Sequence, residues 1–244
     1  PNEITTSALT ARSVYATDVD GDGDMDVLSA SSTDNKIAWY NNDGSESFSE
    51  NIISTNTEYS EDASWVYPTD LDSDGDMDVL STAISGGAYI AWYENDGSES
   101  FTPHTITSSI SNAQCVYAAD VDGDGDMDFL SASGDDAGNF NTIAWYENNG
   151  SESFTPHTIT TSLAGPVSVY AADLDGDGDL DVLGAAYEGL DNLDSDLSWF
   201  ENNGSQAFTA HSVSTSADFA MGVHAVDVDA DGDLDILSAS YDDD

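Results

Sequence analysis

The pattern Asp-x-Asp-x-Asp-Gly-Asp-x-Asp occurs five times in this sequence and carries nearly all of its candidate chemistry. The copies are Asp18, Asp20, Asp22, Asp24 and Asp26; Asp70, Asp72, Asp74, Asp76 and Asp78; Asp120, Asp122, Asp124, Asp126 and Asp128; Asp173, Asp175, Asp177, Asp179 and Asp181; and Asp227, Asp229, Asp231, Asp233 and Asp235. A short carboxylate can reach both a backbone amide and a cation, so runs of Asp read as turns and metal loops. Calcium takes about 6–8 oxygen ligands. Side chains at loop positions 1, 3, 5 and 9 and the carbonyl at position 7 supply most of that number. Gly23, Gly75, Gly125, Gly178 and Gly232 at position 6 allow the sharp turn. An EF-hand begins alike, but it needs Glu at position 12 and flanking helices. Position 12 here is Ser29, Ser81, Ser131, Gly184 or Ser238, and apolar, strand-like runs flank every loop. Five carboxylates within nine residues repel strongly without a cation. Calcium, about five ions, is therefore the expected cofactor, against the plainer reading of acidic surface turns.

The same runs set the frame that must hold these loops. They recur at intervals of 52, 50, 53 and 54 residues. A short apolar run precedes each, as in Val116-Tyr117-Ala118, and a second follows, as in Phe129-Leu130-Ser131-Ala132. A third element comes next: Ile37-Ala38-Trp39-Tyr40, Ile90-Ala91-Trp92-Tyr93, Ile143-Ala144-Trp145-Tyr146 and Leu197-Ser198-Trp199-Phe200. Asp43-Gly44, Asp96-Gly97, Asn149-Gly150 and Asn203-Gly204 then supply the positive φ angles of a tight hairpin. A fourth element follows, as in Phe101-Thr102-Pro103-His104-Thr105-Ile106-Thr107. No stretch has helical periodicity over ten residues, and these short β-branched and aromatic runs read as strands.

Four strands in about 50 residues match the blade of a β-propeller. The fold expected is all-β, a propeller of four-stranded blades spanning residues 1–244 as a single domain. Its units are 13–64, 65–114, 115–166, 167–221 and 222–244. The first two strands of each unit are apolar on both faces, as inner strands packed between blades would be. Pro103 and Pro156 put the fourth strand at the outer edge, because proline cannot donate to a ladder. Glu3-Ile4-Thr5-Thr6 resembles a fourth strand, so residues 1–7 are expected as an outer strand closing a five-bladed ring. The last unit has no third strand of its own. Either the chain is part of a longer, seven-bladed repeat protein, or another chain completes that blade.

Composition narrows the function. The 244 residues include 2 Lys+Arg against 49 Asp+Glu, a formal net charge of −47. Two cations cannot neutralise a run of phosphates, so a nucleic-acid partner is excluded, and their scarcity argues against docking on anionic lipid. Halophile-style solvation competes for the charge, but Asp outnumbers Glu about three to one. The single cysteine, Cys115, excludes an internal disulfide and a Cys-based zinc site. Apolar runs reach about five residues, too short to span a membrane. Pro1 opens the sequence without a basic or apolar leader, as a mature chain would.

The loops with their flanking strands, as in Val116-Tyr117-Ala118-Ala119-Asp120-Val121-Asp122-Gly123-Asp124-Gly125-Asp126-Met127-Asp128-Phe129-Leu130, resemble FG-GAP/VCBS-type repeats. The resemblance covers essentially the whole chain. It implies an integrin-α-like β-propeller with calcium between the first and second strands of each unit, outside the cell. Members of the family include adhesion modules, lectin-like domains and lyase domains, so the fold does not fix a function.

Other candidates reduce to structure. His104, His157 and His211 repeat at one place in the fourth strand, which argues for packing and against catalysis. His224 replaces a first-strand Tyr, the four third-strand Trp residues read as core, and Cys115 aligns with Ser13, Trp65, Ser168 and Gly222 as filler. Asn149-Gly150-Ser151 and Asn203-Gly204-Ser205 fit the N-glycosylation pattern but coincide with turns that need Asn-Gly anyway. The connections that vary between units carry Tyr59, Tyr89, Phe140, Tyr187 and Phe219, and loops on a rigid scaffold are where binding residues concentrate. Exposed aromatics beside Asp and Asn suit stacking on sugar rings. The reading that follows is a non-catalytic extracellular binding or assembly module, of adhesion, surface or filament type. A protein partner or self-association is expected through the open last blade. A lectin-like glycan binder and the propeller domain of a polysaccharide lyase are the alternatives.

Overall fold

The computed structural model describes residues 3–85, 90–110, 112–134, 141–187, 197–214, 217 and 219–241. The first four strands are β1 (Ala11–Thr17), β2 (Asp26–Ser31), β3 (Lys36–Asn42) and β4 (Phe48–Ser54). After a one-turn helix, α1 (Thr57–Ser60), come β5 (Ala63–Thr69), β6 (Asp78–Ala83), β7 (Ile90–Asn95) and β8 (Phe101–Thr107). The third set is β9 (Ala113–Ala119), β10 (Asp128–Gly134), β11 (Asn141–Asn148) and β12 (Phe154–Thr160). The fourth is β13 (Pro166–Ala172), β14 (Asp181–Ala186), β15 (Leu197–Asn202) and β16 (Phe208–Ser214), and β17 (Ala220–Val226) with β18 (Asp235–Ser240) ends the chain. Each set is one antiparallel sheet whose strands lie in chain order, four sheets of four strands and one of two. These four-stranded meanders are propeller-type blades, as the repeat spacing anticipates.

The first strands begin at residues 11, 63, 113, 166 and 220, one or two residues ahead of the units read from sequence. A bulge explains the offset where the pairing is defined. The register slips between Ala11 and Ser13, Ala63 and Trp65, Pro166 and Ser168, and Ala220 and Gly222, so an extra residue joins each strand ahead of its apolar run.

Burial grades across a blade. The second strands β6 and β14 are buried along their whole length, whereas the fourth strands β8, β12 and β16 mix half-buried and exposed residues and bury none fully. Pro103 and Pro156 therefore sit in the outer strands, where a missing N–H costs no ladder bond.

The chain divides into two compact units, 1–116 and 117–244, with the boundary inside β9. In the first unit, β1 and β2 pack on β5. Leu28, Ile37 and Trp39 from one sheet meet Val66, Val79 and Tyr93 from the next, all at most 1% exposed. Burial of each such side chain contributes roughly 1.5–3 kcal/mol. Ser13 Oγ accepts the amide of Val66 at 3.4 Å across the same seam. The second unit repeats the device: β13 and β14 pack on β17, and Ser168 Oγ accepts the amide of Val223 at 3.3 Å. Its blades also join through the backbone at Gly134, whose missing side chain faces Gly165 and Pro166. A β-carbon there would lie 2.5 Å from the carbonyl carbon of Gly165. Gly134→Ala is therefore expected to cost about 3 kcal/mol, read as a lower urea midpoint at unchanged slope.

Two expectations are corrected. The first strands are not uniformly packed on both faces: Val14 in β1 is 70% exposed and Tyr15 40%, and Met221, His224 and Val226 in β17 are exposed too. By contrast β5, on which β1 and β2 pack, and β13, which meets β10 and β17, are largely buried. The second concerns residues 1–7 as an outer strand: the described residues 3–7 hold no strand, and among the described residues the last sheet pairs β17 with β18. Ser7 is instead tied to the first blade. The Lys36 ammonium donates to the Ser7 carbonyl at 2.9 Å and to Glu50 at 2.7 Å, and Ser7 Oγ donates to Glu50 at 2.7 Å. These two donors hold the Glu50 carboxyl below its usual range.

Candidate metal centres

Each aspartate loop joins a first strand to a second strand, and its own carboxylates fold it. In the first loop, Asp18 accepts the amides of Asp22 at 3.1 Å and Gly23 at 3.0 Å. Asp20 accepts from Asp22 at 3.2 Å, and Asp22 from Asp24 at 2.9 Å. The second and fifth loops repeat these bonds within 0.1 Å. The turn glycines sit at φ values of 96° to 102°, a conformation that no side chain tolerates cheaply.

Position 9 is a structural anchor as well as a candidate ligand. Asp26, Asp78, Asp128 and Asp181 are fully buried. One oxygen of each accepts the amide of the residue at position 2, at 3.0–3.1 Å. The other accepts the amide of Asn42, Asn95, Asn148 or Asn202 at the end of the third strand, at 2.8 Å in all four blades. The same asparagines donate Nδ2 to the carbonyl at position 8, at 3.1–3.2 Å. The indole N–H groups of Trp92, Trp145 and Trp199 face these carboxylates without completing a hydrogen bond. Burial pushes Asp78 up to about 7 and Asp128 up to about 6, against the pull of those backbone amides. Asp26 and Asp181 are raised for the same reason.

The structure brings the carboxylates together in two closely related sets. In the first and fifth loops, oxygens of Asp18, Asp20 and Asp22 and of Asp227, Asp229 and Asp231 lie within 4.8 Å of one another. In the middle three, the sets are Asp70, Asp72 and Asp78; Asp120, Asp122 and Asp128; and Asp173, Asp175 and Asp181. The donor atoms are all carboxylate oxygens, which fits a hard divalent cation and suits neither zinc nor copper. Asp24, Asp76, Asp126, Asp179 and Asp233 at position 7 belong to no set. The first four aim at Gly44, Gly97, Gly150 and Gly204 in the hairpin turns, where any β-carbon would collide with their Oδ2. That close approach, together with positive φ values of 67–73°, is why glycine stands in those turns.

The loops also meet the third strand through residues that sequence reading passed over. Asn41 Nδ2 donates to Asp20, and Glu94 and Glu147 raise Asp72 and Asp122 by their charge, after the larger effect of burial. Each of these glutamates and Glu201 pairs with a fourth-strand histidine. His104, His157 and His211 lie 2.6–2.7 Å from Glu94, Glu147 and Glu201, and stack on Trp92, Trp145 and Trp199 at 4.6 Å. The signal for it was the shared spacing of Trp-x-Glu and His across three repeats. Blade one has Asn41 and Asn51 at those places and lacks the pair.

The aromatic loop residues separate. Tyr187 and Phe219 meet at 5.1 Å, with Phe219 held at φ 57°. Tyr59 instead packs against the core of the first unit. Tyr89 and Phe140 lie outside the described residues. Cys115 is buried with its thiol 3.7 Å from the Val116 carbonyl, and His224 lies edge-on to Tyr170 at 4.4 Å. Asn149 and Asn203 accept the amides of Ser151 and Ser205 at 3.0 Å, the turn role that Asp43 and Asp96 play in the first two blades. Among the described residues no helix is long and apolar enough to cross a membrane.

Comparison with solved structures supports the fold. The chain is similar to the biofilm matrix protein Bap1 of V. cholerae, with TM-score 0.54 and 19% identity over 95% of this chain and 34% of that one. It is also similar to a functionally unknown protein from Desulfotomaculum acetoxidans DSM 771, with TM-score 0.62 and 11% identity over 91% of this chain and 61% of that one. A third similar structure is BBS1N in its complex with ARL6DN, with TM-score 0.52 and 12% identity over 84% and 57% of the two chains. The chain thus spans one third to three fifths of the length of these structures. No curated protein matches it. The family model of the FG-GAP-like repeat matches residues 18–81, 70–131, 123–184 and 186–238, which take in all five aspartate loops, and the chain belongs to that family.

Proposed function

We propose that this chain is a calcium-stabilised extracellular binding or assembly module, and that each aspartate loop holds one ion. The observation that carries the reading is the fivefold recurrence of three converging carboxylates on a loop already folded by its own backbone amides. The ligands are the side chains at positions 1, 3, 5 and 9 and the carbonyl at position 7. The turning of Asp24, Asp76, Asp126 and Asp179 toward the hairpin glycines supports the backbone role at position 7. Membership of the FG-GAP-like family and likeness to a biofilm matrix protein support an extracellular, structural or adhesive setting without catalysis.

Calcium titration of the metal-stripped chain by calorimetry tests it. About five ions are expected per chain, with Kd near 10⁻⁴ M or tighter. Asp122→Ala is expected to lose one ion, and Asp126→Asn to keep all five. Fewer than three ions for the unmodified chain, or the loss of an ion in Asp126→Asn alone, would contradict the assignment.

A further inference from the structure

The four outer strands share one register position whose residue changes from blade to blade. Glu50 in β4 lies opposite Tyr40, Pro103 in β8 opposite Tyr93, Pro156 in β12 opposite Tyr146, and Ala210 in β16 opposite Phe200. The backbone at this position faces away from the sheet, because proline stands there twice in the same pairing register and breaks no ladder bond. An outer strand with open outward amides recruits other strands, and proteins block it with proline or charge. β8 and β12 carry the proline. β4 carries Glu50, held by Lys36 and Ser7. β16 reads Phe208-Thr209-Ala210-His211-Ser212-Val213-Ser214, with neither proline nor acid, and Thr209, Ala210, Ser212 and Val213 are exposed. Its outer edge pairs with nothing among the described strands. In a chain with 49 acids, one outer edge is thus left without either block.

We propose that β16 pairs antiparallel with β16 of a second copy of this chain, about a two-fold axis at Ala210. This rests on the assembly reading above and names its surface. Outward backbone groups recur at every second residue, so those of Phe208, Ala210 and Ser212 face the partner. Val213 is the extra residue of a bulge against β15, which ends the run after Ser212. An axis at Ala210 sets Ala210 against its copy and Phe208 against Ser212, so all three outward residues exchange both backbone bonds. The same axis on β4 would set Glu50 against Glu50, and on β8 or β12 proline against proline. Charge selects the occupant. A cationic strand is drawn to the aspartate loops and gains nothing from β16. A like chain at −47 is repelled least along a strip without acid. A two-fold contact closes on itself, so the product is a dimer and not a fibre.

The test is analytical sedimentation of the whole chain across protein concentration, in millimolar calcium and enough salt to screen its charge. A monomer–dimer equilibrium is expected, with no larger species. Hydrogen exchange at Ala210 and Ser212 is expected to slow as the dimer forms, with no change in β8 or β12. Ala210→Pro is expected to weaken the dimer at least tenfold and to leave the melting temperature of the monomer unchanged, because Pro103 and Pro156 stand at the same place in folded strands. Ala210→Glu copies Glu50 and is expected to weaken the dimer too, with recovery as salt rises. A dimer that both variants leave intact overturns the proposal and keeps assembly through another surface. A chain that is monomeric at every concentration also overturns it, and calcium uptake by that chain keeps the metal reading. A dimer lost in both variants, from a chain that takes up no calcium, removes the metal reading and keeps β16. Protection of β16 in a monomeric chain by an added Thr/Val strand peptide assigns the edge to a foreign strand and overturns the second copy.

Discussion

Stripping calcium from this protein is expected to unfold it at neutral pH. On the proposed reading each ion binds the native loop and not the disordered chain, and so stabilises by mass action. At ligand 100-fold above Kd one site contributes about 2.7 kcal/mol. Five sites contribute roughly 13 kcal/mol, comparable with the whole stability of a domain, about 5–15 kcal/mol. Nothing else in the chain can take over the role. Only Arg12 and Lys36 are cationic apart from histidine, against 49 acids, and Lys36 is committed to Glu50 and Ser7. Asp26, Asp78, Asp128 and Asp181 are buried beside the other loop carboxylates, so their charge is uncompensated once the ion leaves. The measurement is circular dichroism through a thermal scan, in excess calcium and after exhaustive chelation. The expected result is loss of the cooperative transition in the stripped sample. An unchanged melting temperature would mean that the blades alone hold the fold and that calcium is incidental.

The loops and blades were legible because both follow from local rules repeated five times. Asp at alternate positions with glycine at the turn specifies the loop, and an Asp-Gly or Asn-Gly pair specifies each hairpin. The edge position of the fourth strand follows from Pro103 and Pro156 alone. What stayed hidden depends on neighbours that the motif does not name. That Asp78 anchors two amides as well as facing the loop is set by Asn95, in a different strand 17 residues away. The His104–Glu94 pair on Trp92 needs the register between β7 and β8, which sequence spacing leaves free. The exposure of Val14 and Leu237 reflects which blade faces each strand, and that is tertiary information. Residues 1–7 resemble an outer strand in composition, yet the described residues 3–7 are tied to the first blade through Ser7 and form no strand.

Acidification is expected to move the metal-free and calcium-loaded proteins in opposite directions. Burial raises Asp78 to about 7 and Asp128 to about 6, and raises Asp26 and Asp181 as well. In the unfolded chain these groups return to about 3.9. Between the two values the native state binds more protons than the unfolded state, so stability rises as pH falls. For Asp78 alone the stabilisation gained between neutral pH and its unfolded value is on the order of 4 kcal/mol. The metal-stripped chain, unfolded at pH 7.5, is therefore expected to regain β-structure as pH approaches 5. Falling net negative charge acts in the same direction. Calcium reverses the sign. The ion requires ionised carboxylates, so protons compete with it, and the loaded protein is expected to lose stability over the same range. The far-ultraviolet circular dichroism of β-structure from pH 7.5 to 5, with and without saturating calcium, gives two curves that converge on the acid side. Parallel curves would show that the buried aspartates are not where the cation acts. A stripped chain that loses structure on acidification would show that those carboxylates are already charged and stabilised in the native fold without the metal.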